Sequence, residues 1–231
     1  MIHSRANART AGILLILGTV PIILALAAWG RPLVSPDYLS LLAANELSTY
    51  LFIFTILVMG MACAGVGIAL YPVLKLHDEG LALTAMGFRL MEGPLQFLSA
   101  LCNAALLALS REFVRAGSPA GTFYQPAGEA IKAVTDWLNT AYFLPFCIGA
   151  FSYYLVFFRA RLVPRWLSVW GLAGILLMLA AGLISALGLI EADSQVVTLL
   201  CFPIMVQEMV LAVRLIAKGF DVPGAAKAQA R

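Results

Sequence analysis

Charge is what this chain has least of. Asp, Glu, Lys and Arg make up 12% of its 231 residues, whereas 62% are hydrophobic. Soluble domains run nearer a quarter charged and half apolar, so an ordinary soluble domain is excluded. Histidine is almost missing as well. His3 and His77 are the only two, and both fall in the flanks of apolar runs. That leaves no pair of axial ligands for a haem within a membrane and no Ser/His/Asp relay there. The four cysteines, Cys63, Cys102, Cys147 and Cys201, stand far apart without metal or redox spacing. Isolated cysteines in apolar helices behave as small hydrophobes. The chain also lacks a phosphate-binding Gly-Lys loop and a dinucleotide fingerprint. These absences predict no metal, no cofactor and no nucleic-acid partner.

Long apolar runs are what it does have. Six of them reach the roughly 20 residues needed to cross a hydrocarbon core: Thr10–Gly30, Tyr50–Leu74, Leu81–Leu109, Trp137–Phe158, Trp166–Ile190 and Val196–Ala217. The alternating ten-residue segments of a membrane β-barrel are not seen. The reading is therefore all-α: a polytopic membrane protein with six transmembrane helices in one bundle, residues 1–231 forming a single domain. The start, "HSRANARTAGILLILGTVPIILALAAW", also has the basic and apolar regions of a cleavable signal, with Ala25-Leu26-Ala27 as its site. Its run is long enough to span, and removing it would leave a helix number at odds with the charge distribution.

Lys and Arg set the orientation. With the N-terminus inside, ten of the fifteen fall inside: Arg5, Arg9, Lys75, Arg159, Arg161, Arg165, Arg214, Lys218, Lys227 and Arg231. Arg31, Arg111, Arg115 and Lys132 fall outside, and Arg89 falls within the membrane. This bias predicts both termini in the cytoplasm, and it accounts for the net charge of +3. The loops are short, as in a compact bundle. Arg31–Ser48 has room for a short amphipathic helix after Pro36, and Ser110–Glu129 reads as irregular from its Gly, Pro and Ser content. "EADS" reads as a minimal external turn, and residues 219–231 as a frayed cytoplasmic tail. In the second span, Gly60/Ala64 and Gly65/Ala69 place small residues four apart, which suits close packing of a neighbouring helix in the same chain, or a dimer face.

The third span carries a polar stripe. In "FRLMEGPLQFLSALCNA", Arg89, Glu92, Gln96, Ser99 and Asn103 recur at spacings of 3, 4, 3 and 4, which lays all five on one helix face. Such a face must look into the bundle or a watery cavity, because one Arg at mid-helix costs about 3 kcal/mol on insertion scales. The sixth span offers Gln207 and Glu208, and Glu208 lies at a depth matching Arg89. An Arg89–Glu92–Glu208 cluster follows, one cation among two acids. It is either a register pin between the third and sixth spans or a functional site. An acid in excess over one Arg could hold a proton. Asp136 and Asn139 form a second polar set nearer the outside, where hydration or helix N-terminal charge explains Asp136. Pro21, Pro94, Pro145 and Pro203 interrupt four spans, two of them beside the cluster.

Three segments together resemble a bacterial membrane-protein family known as Domain of Unknown Function 4386. "ALYPVLKLHDEGLALTAMGFRLMEG" is similar to its Ala-Leu-Tyr helix end and Phe-Arg-Leu-x-Glu helix, and places Tyr71, Arg89 and Glu92. "YYLVFFRARLVPRWLSVWGLAG" is similar to its Arg/Pro-Arg-Trp-Leu link and places Arg159, Pro164, Arg165 and Trp166. "FPIMVQEMVLAVRLIAKGF" is similar to its Pro, Glu and Lys-Gly-Phe ending and places Pro203, Glu208, Lys218 and Gly219. With "RTAGILLILG" the resemblance runs in order along nearly the whole chain. It implies six helices, a multi-pass place in a bacterial cytoplasmic membrane and the same Arg/Glu positions, and it implies no particular reaction.

The sequence reading is a protein that binds or transports a small or lipid-like molecule through the cluster on the third and sixth spans. A membrane-embedded enzyme using a Glu as acid or base on lipid is the alternative, and a non-catalytic partner or regulator of a membrane complex is a third. The balance leans away from an enzyme, and the lipid bilayer is the one partner expected in every case.

Overall fold

The computed structural model describes residues 2–119, 123–190 and 194–221, with the side chains of 2–4, 22 and 25–34 also outside the description. Eight helices follow one another: α1 (Ile2–Val34), α2 (Tyr38–Ala44), α3 (Glu46–Leu74), α4 (Glu79–Arg115), α5 (Tyr124–Ala141), α6 (Phe143–Ala160), α7 (Arg165–Ala186) and α8 (Gln195–Ala217). No strand occurs among the described residues. Five segments are long and apolar enough to cross a membrane: α3, α4, the nearly continuous Tyr124–Ala160, α7 and α8.

Six helices close into a ring. Around it, α1 packs on α3, α3 on α4, α4 on α6, α6 on α7, α7 on α8, and α8 back on α1. Glycine sits at each seam, where a side chain would collide with the neighbour. An added Cβ at Gly12 would lie 2.7 Å from the Ala212 carbonyl oxygen, joining α1 to α8. Gly65 meets Leu14 between α3 and α1, and Gly60 meets Gln96 and the Gly93 carbonyl between α3 and α4. Gly149 faces Arg89 between α6 and α4, Gly182 faces Phe143 between α7 and α6, and Gly174 faces Ile204 between α7 and α8. Helices in lipid gain little from hydrophobicity against each other, so close backbone approach at small residues supplies the packing that holds them. The small-residue pairs of the second span thus serve intramolecular seams.

A second apolar cluster lies at one end. Tyr38, Leu39 and Leu42 of α2 are buried with Phe52, Ile53 and Ile56 of α3 and Leu106, Leu107 and Phe113 of α4. Tyr38 ties α2 to α5: Lys132 sits 4.6 Å above its ring, and its hydroxyl faces the Gln125 carbonyl. Burial and the neighbouring Glu129 carboxylate push the Tyr38 phenol up to about 12.

Several boundaries differ from the sequence reading. α1 starts at Ile2 and runs to Val34, through the first residues of the expected external loop. α4 continues to Arg115, and α5 starts at Tyr124 within a stretch read as irregular. Pro126 is tolerated there because a helix's first N–H groups have no partner to lose, and Gly128 leaves room for the Tyr38 ring. Helix α8 passes through Pro203, and α4 through Pro94. The break at Tyr142 instead falls three residues before Pro145, where the ring displaces the carbonyl one turn earlier. Gly219, read as the start of a frayed tail, adopts φ +74° and turns the chain back. Phe220 is then buried against Phe157, the Asp221 N–H donates to the Leu162 carbonyl, and Arg214 pairs with Asp221 at 2.6 Å. Residues 222–231, including Lys227 and Arg231, and residues 191–193 of the acidic turn lie outside the described residues.

Candidate functional site

The five stripe residues all face inward. Arg89, Glu92, Gln96 and Ser99 are each 2% exposed and Asn103 is 6% exposed, although the helix carries exposed Leu90, Met91, Leu98 and Leu101 on its other sides. Asp78 starts this helix by accepting from the Leu81 N–H at 3.0 Å. From there, Arg89 lies about 16 Å along at a rise of about 1.5 Å per residue. Glu208 stands about 14 Å from the adjacent end of α8 by the same rise.

Arg89 is held by shape on two sides. A Cβ on Gly67 of α3 would sit 2.9 Å from its Cβ, and one on Gly149 of α6 would sit 3.1 Å from its Cγ. Nη1 of the guanidinium is 2.9 Å from Glu92 Oε2, and its Cζ lies 4.8 Å from the centre of the Phe146 ring. The ion pair is close, but its angles do not make a hydrogen bond. Arg89 Nε and Nη1 and Glu92 Oε2 are buried without a hydrogen-bond partner among the described residues. Unmet donors on a buried guanidinium are costly, and such groups normally point to water or a ligand.

Glu208 does not pair with Arg89. No ion pair within 4.0 Å joins them, and Glu208 Oε1 instead accepts from the Tyr153 hydroxyl at 3.2 Å. The sequence reading grouped Arg89, Glu92 and Glu208; all three are buried and act on one another electrostatically, without an Arg89–Glu208 ion pair, since α4 and α8 are not adjacent in the ring. Equal depth along two helices does not make them neighbours. The charges still feel one another, and Thr19 of α1 and Cys63 of α3 reach the same centre, Thr19 at Glu208 and Cys63 at Glu92. Every ring helix except α7 therefore brings a polar or ionisable side chain to one point.

Gln207 plays a different part. Its carboxamide oxygen accepts from the Tyr154 hydroxyl and its Nε2 donates to the Leu167 carbonyl at 3.0 Å, tying α8 to α6 and α7. Toward the other end, Ser99 Oγ donates to Asn139 Oδ1 at 3.2 Å, and Asn103 Nδ2 bonds the Ser99 carbonyl at 2.8 Å. Asn139 thus joins the stripe, while Asp136 is exposed on α5. The centre is Arg89, Glu92 and Glu208, with Tyr153, Thr19 and Cys63 as residues the sequence reading did not single out. A tyrosine pair inside "FSYYLVFF" was the available signal, since a buried Tyr hydroxyl must find a partner. No group of three or more His, Cys, Asp or Glu side chains is placed to hold a metal ion among the described residues.

No curated protein and no solved structure matches the chain. The model of one family, described as a domain of unknown function (DUF4386), matches residues 10–219, so the chain belongs to the DUF4386 family.

Proposed function

We propose that this protein binds or transports a small or lipid-like molecule at the polar centre of its helix ring. The observation that carries the reading is Arg89: a guanidinium 2% exposed, in mid-helix, ion-paired through Nη1 to Glu92 yet with Nε and Nη1 lacking a hydrogen-bond partner among the described residues. A helix pin built for stability would satisfy those donors or be apolar, because a buried ion pair stabilises less than good packing. The polar line from Arg89 through Gln96 and Ser99, all buried, to the half-buried Asn139 runs from the centre toward α5.

In this reading α1 is the sixth span, the chain is one domain and both termini face the cytoplasm of a bacterial inner membrane. The exposed Lys75, Arg159, Arg161, Arg165 and Lys218 at one end support that orientation. The test is native mass spectrometry of the chain released from mild detergent. A bound small molecule should accompany the native protein and be lost from Arg89→Met. Bare protein from every preparation, together with no thermal shift from added membrane extract, would contradict the proposal.

A further inference from the structure

We propose that the centre of the ring binds one small monovalent cation in exchange for a proton carried by Glu208. This rests on the small-molecule reading above and names its ligand class.

The buried centre carries more acids than cations. Arg89 supplies one positive charge, and Glu92 and Glu208, 2% and 6% exposed, supply two acids. Among the described residues, the groups facing them from every ring helix add no second cation. Thr19 comes from α1, Cys63 from α3, Tyr153 and Tyr154 from α6, and Gln207 from α8, while Arg165 of α7 is exposed at its helix end. Tyr142, Cys147 and Cys201, farther along, add no positive charge either. With both acids ionised the centre would keep an unbalanced negative charge, and a buried net charge is the arrangement proteins avoid by taking up a proton or a counter-ion.

Geometry selects the acid. Glu92 has the guanidinium at 2.9 Å and stays ionised against it. Glu208 has no cation within 4.0 Å among the described residues and accepts a Tyr153 hydrogen bond that a neutral carboxyl's carbonyl oxygen accepts equally well. The Thr19 hydroxyl lies beside the same carboxyl. At rest the centre is Arg89 cation, Glu92 anion and neutral Glu208. When a cation enters, Glu208 releases its proton to solvent, and two carboxylates then balance Arg89 and the ligand. The Glu92 carboxylate, which keeps lone pairs beyond its ion pair with Arg89, and the Glu208, Tyr153 and Thr19 oxygens are acceptors, which suits a sodium ion or a primary ammonium.

Infrared difference spectroscopy of the full chain in detergent at neutral pH tests this, with sodium chloride and methylammonium chloride as the two probes and choline chloride as the ionic-strength control. The native chain should show one protonated-carboxyl band that is absent in Glu208→Gln, with that variant melting like the native protein because Gln copies the neutral acid's shape. Either probe, but not choline, should remove the band and release about one proton per chain, and the probe that acts tells an inorganic from an ammonium site. A chain without the band, a band that persists in Glu208→Gln, or a band indifferent to both probes would overturn the exchange. A neutral or anionic molecule found by native mass spectrometry beside an unresponsive band would leave the small-molecule site standing and remove only the cation.

Discussion

Replacing Arg89 by Met removes the cation but keeps an unbranched stem in the slot between Gly67 and Gly149. Glu92 then sits 2% exposed without its counter-charge. At 2.9 Å the pair's attraction is about 6 kcal/mol at an effective dielectric of about 20, much of it offset by the cost of burying both ions. Breaking a buried pair from one side costs about 3–5 kcal/mol, because the orphaned charge stays behind. For a chain of this length that is a fall in Tm of about 6–20 °C. Glu92→Gln should cost less, because Glu208 can ionise and take over as the counter-charge to Arg89. In Arg89→Met with Glu92→Gln both charges go, leaving the loss of the Phe146 contact, about 0.5–2 kcal/mol. The double variant should therefore melt above Arg89→Met alone. A thiol-reactive dye reads this directly, since Cys63, Cys147 and Cys201 are buried until the ring opens. Losses that simply add would show that Arg89 and Glu92 do not share a charge balance, and the reasoning would fail.

The remaining expectations are shorter. Gly149→Val and Gly67→Val should each destabilise by about 1–3 kcal/mol through overpacking against Arg89, whereas Gly87→Ala, with nothing near its Cβ, should not lower Tm. Tyr153→Phe should cost about 1–2 kcal/mol by unpairing Glu208, measured by the same melt; an unchanged melt would mean the hydroxyl is not the carboxyl's partner. Phe220→Ala should raise hydrogen exchange at Asp221, whose N–H bonds Leu162, without altering exchange in α3. In a Cys102→Ala background, impermeant thiol labelling of Ser118→Cys should report the outside and of His77→Cys the cytoplasm; both on one side would refute the topology.

The helical nature of the chain and the inward face of α4 were legible because each rests on local periodicity. A spacing of 3 and 4 fixes a helix face whatever surrounds it, and all five stripe residues are buried as that spacing demands. Who stands opposite that face was not legible. Depth along a helix can be read from residue number, but hydrogen-bond partners depend on ring order, so the Tyr153 hydroxyl that α6 gives to Glu208 was not foreseen. Helix α5 was hidden for another reason. Pro126 and Gly128 are helix breakers in isolation, but one occupies the first turn and the other makes room for Tyr38, so tertiary context overrides local propensity. The docked Phe220 was hidden likewise, as one aromatic after a glycine says nothing of the Phe157 surface that receives it.

The central claim is that the ring surrounds a ligand site rather than a finished core. Cryo-electron microscopy of the chain in lipid nanodiscs, at a resolution that shows side chains and water, tests it most directly. The account predicts non-protein density at the polar centre beside Arg89, with density in reach of the Glu92 and Glu208 carboxyls after soaking with methylammonium. Arg89 donors fully paired to protein groups, with side chains packed between them and Glu208, would contradict it.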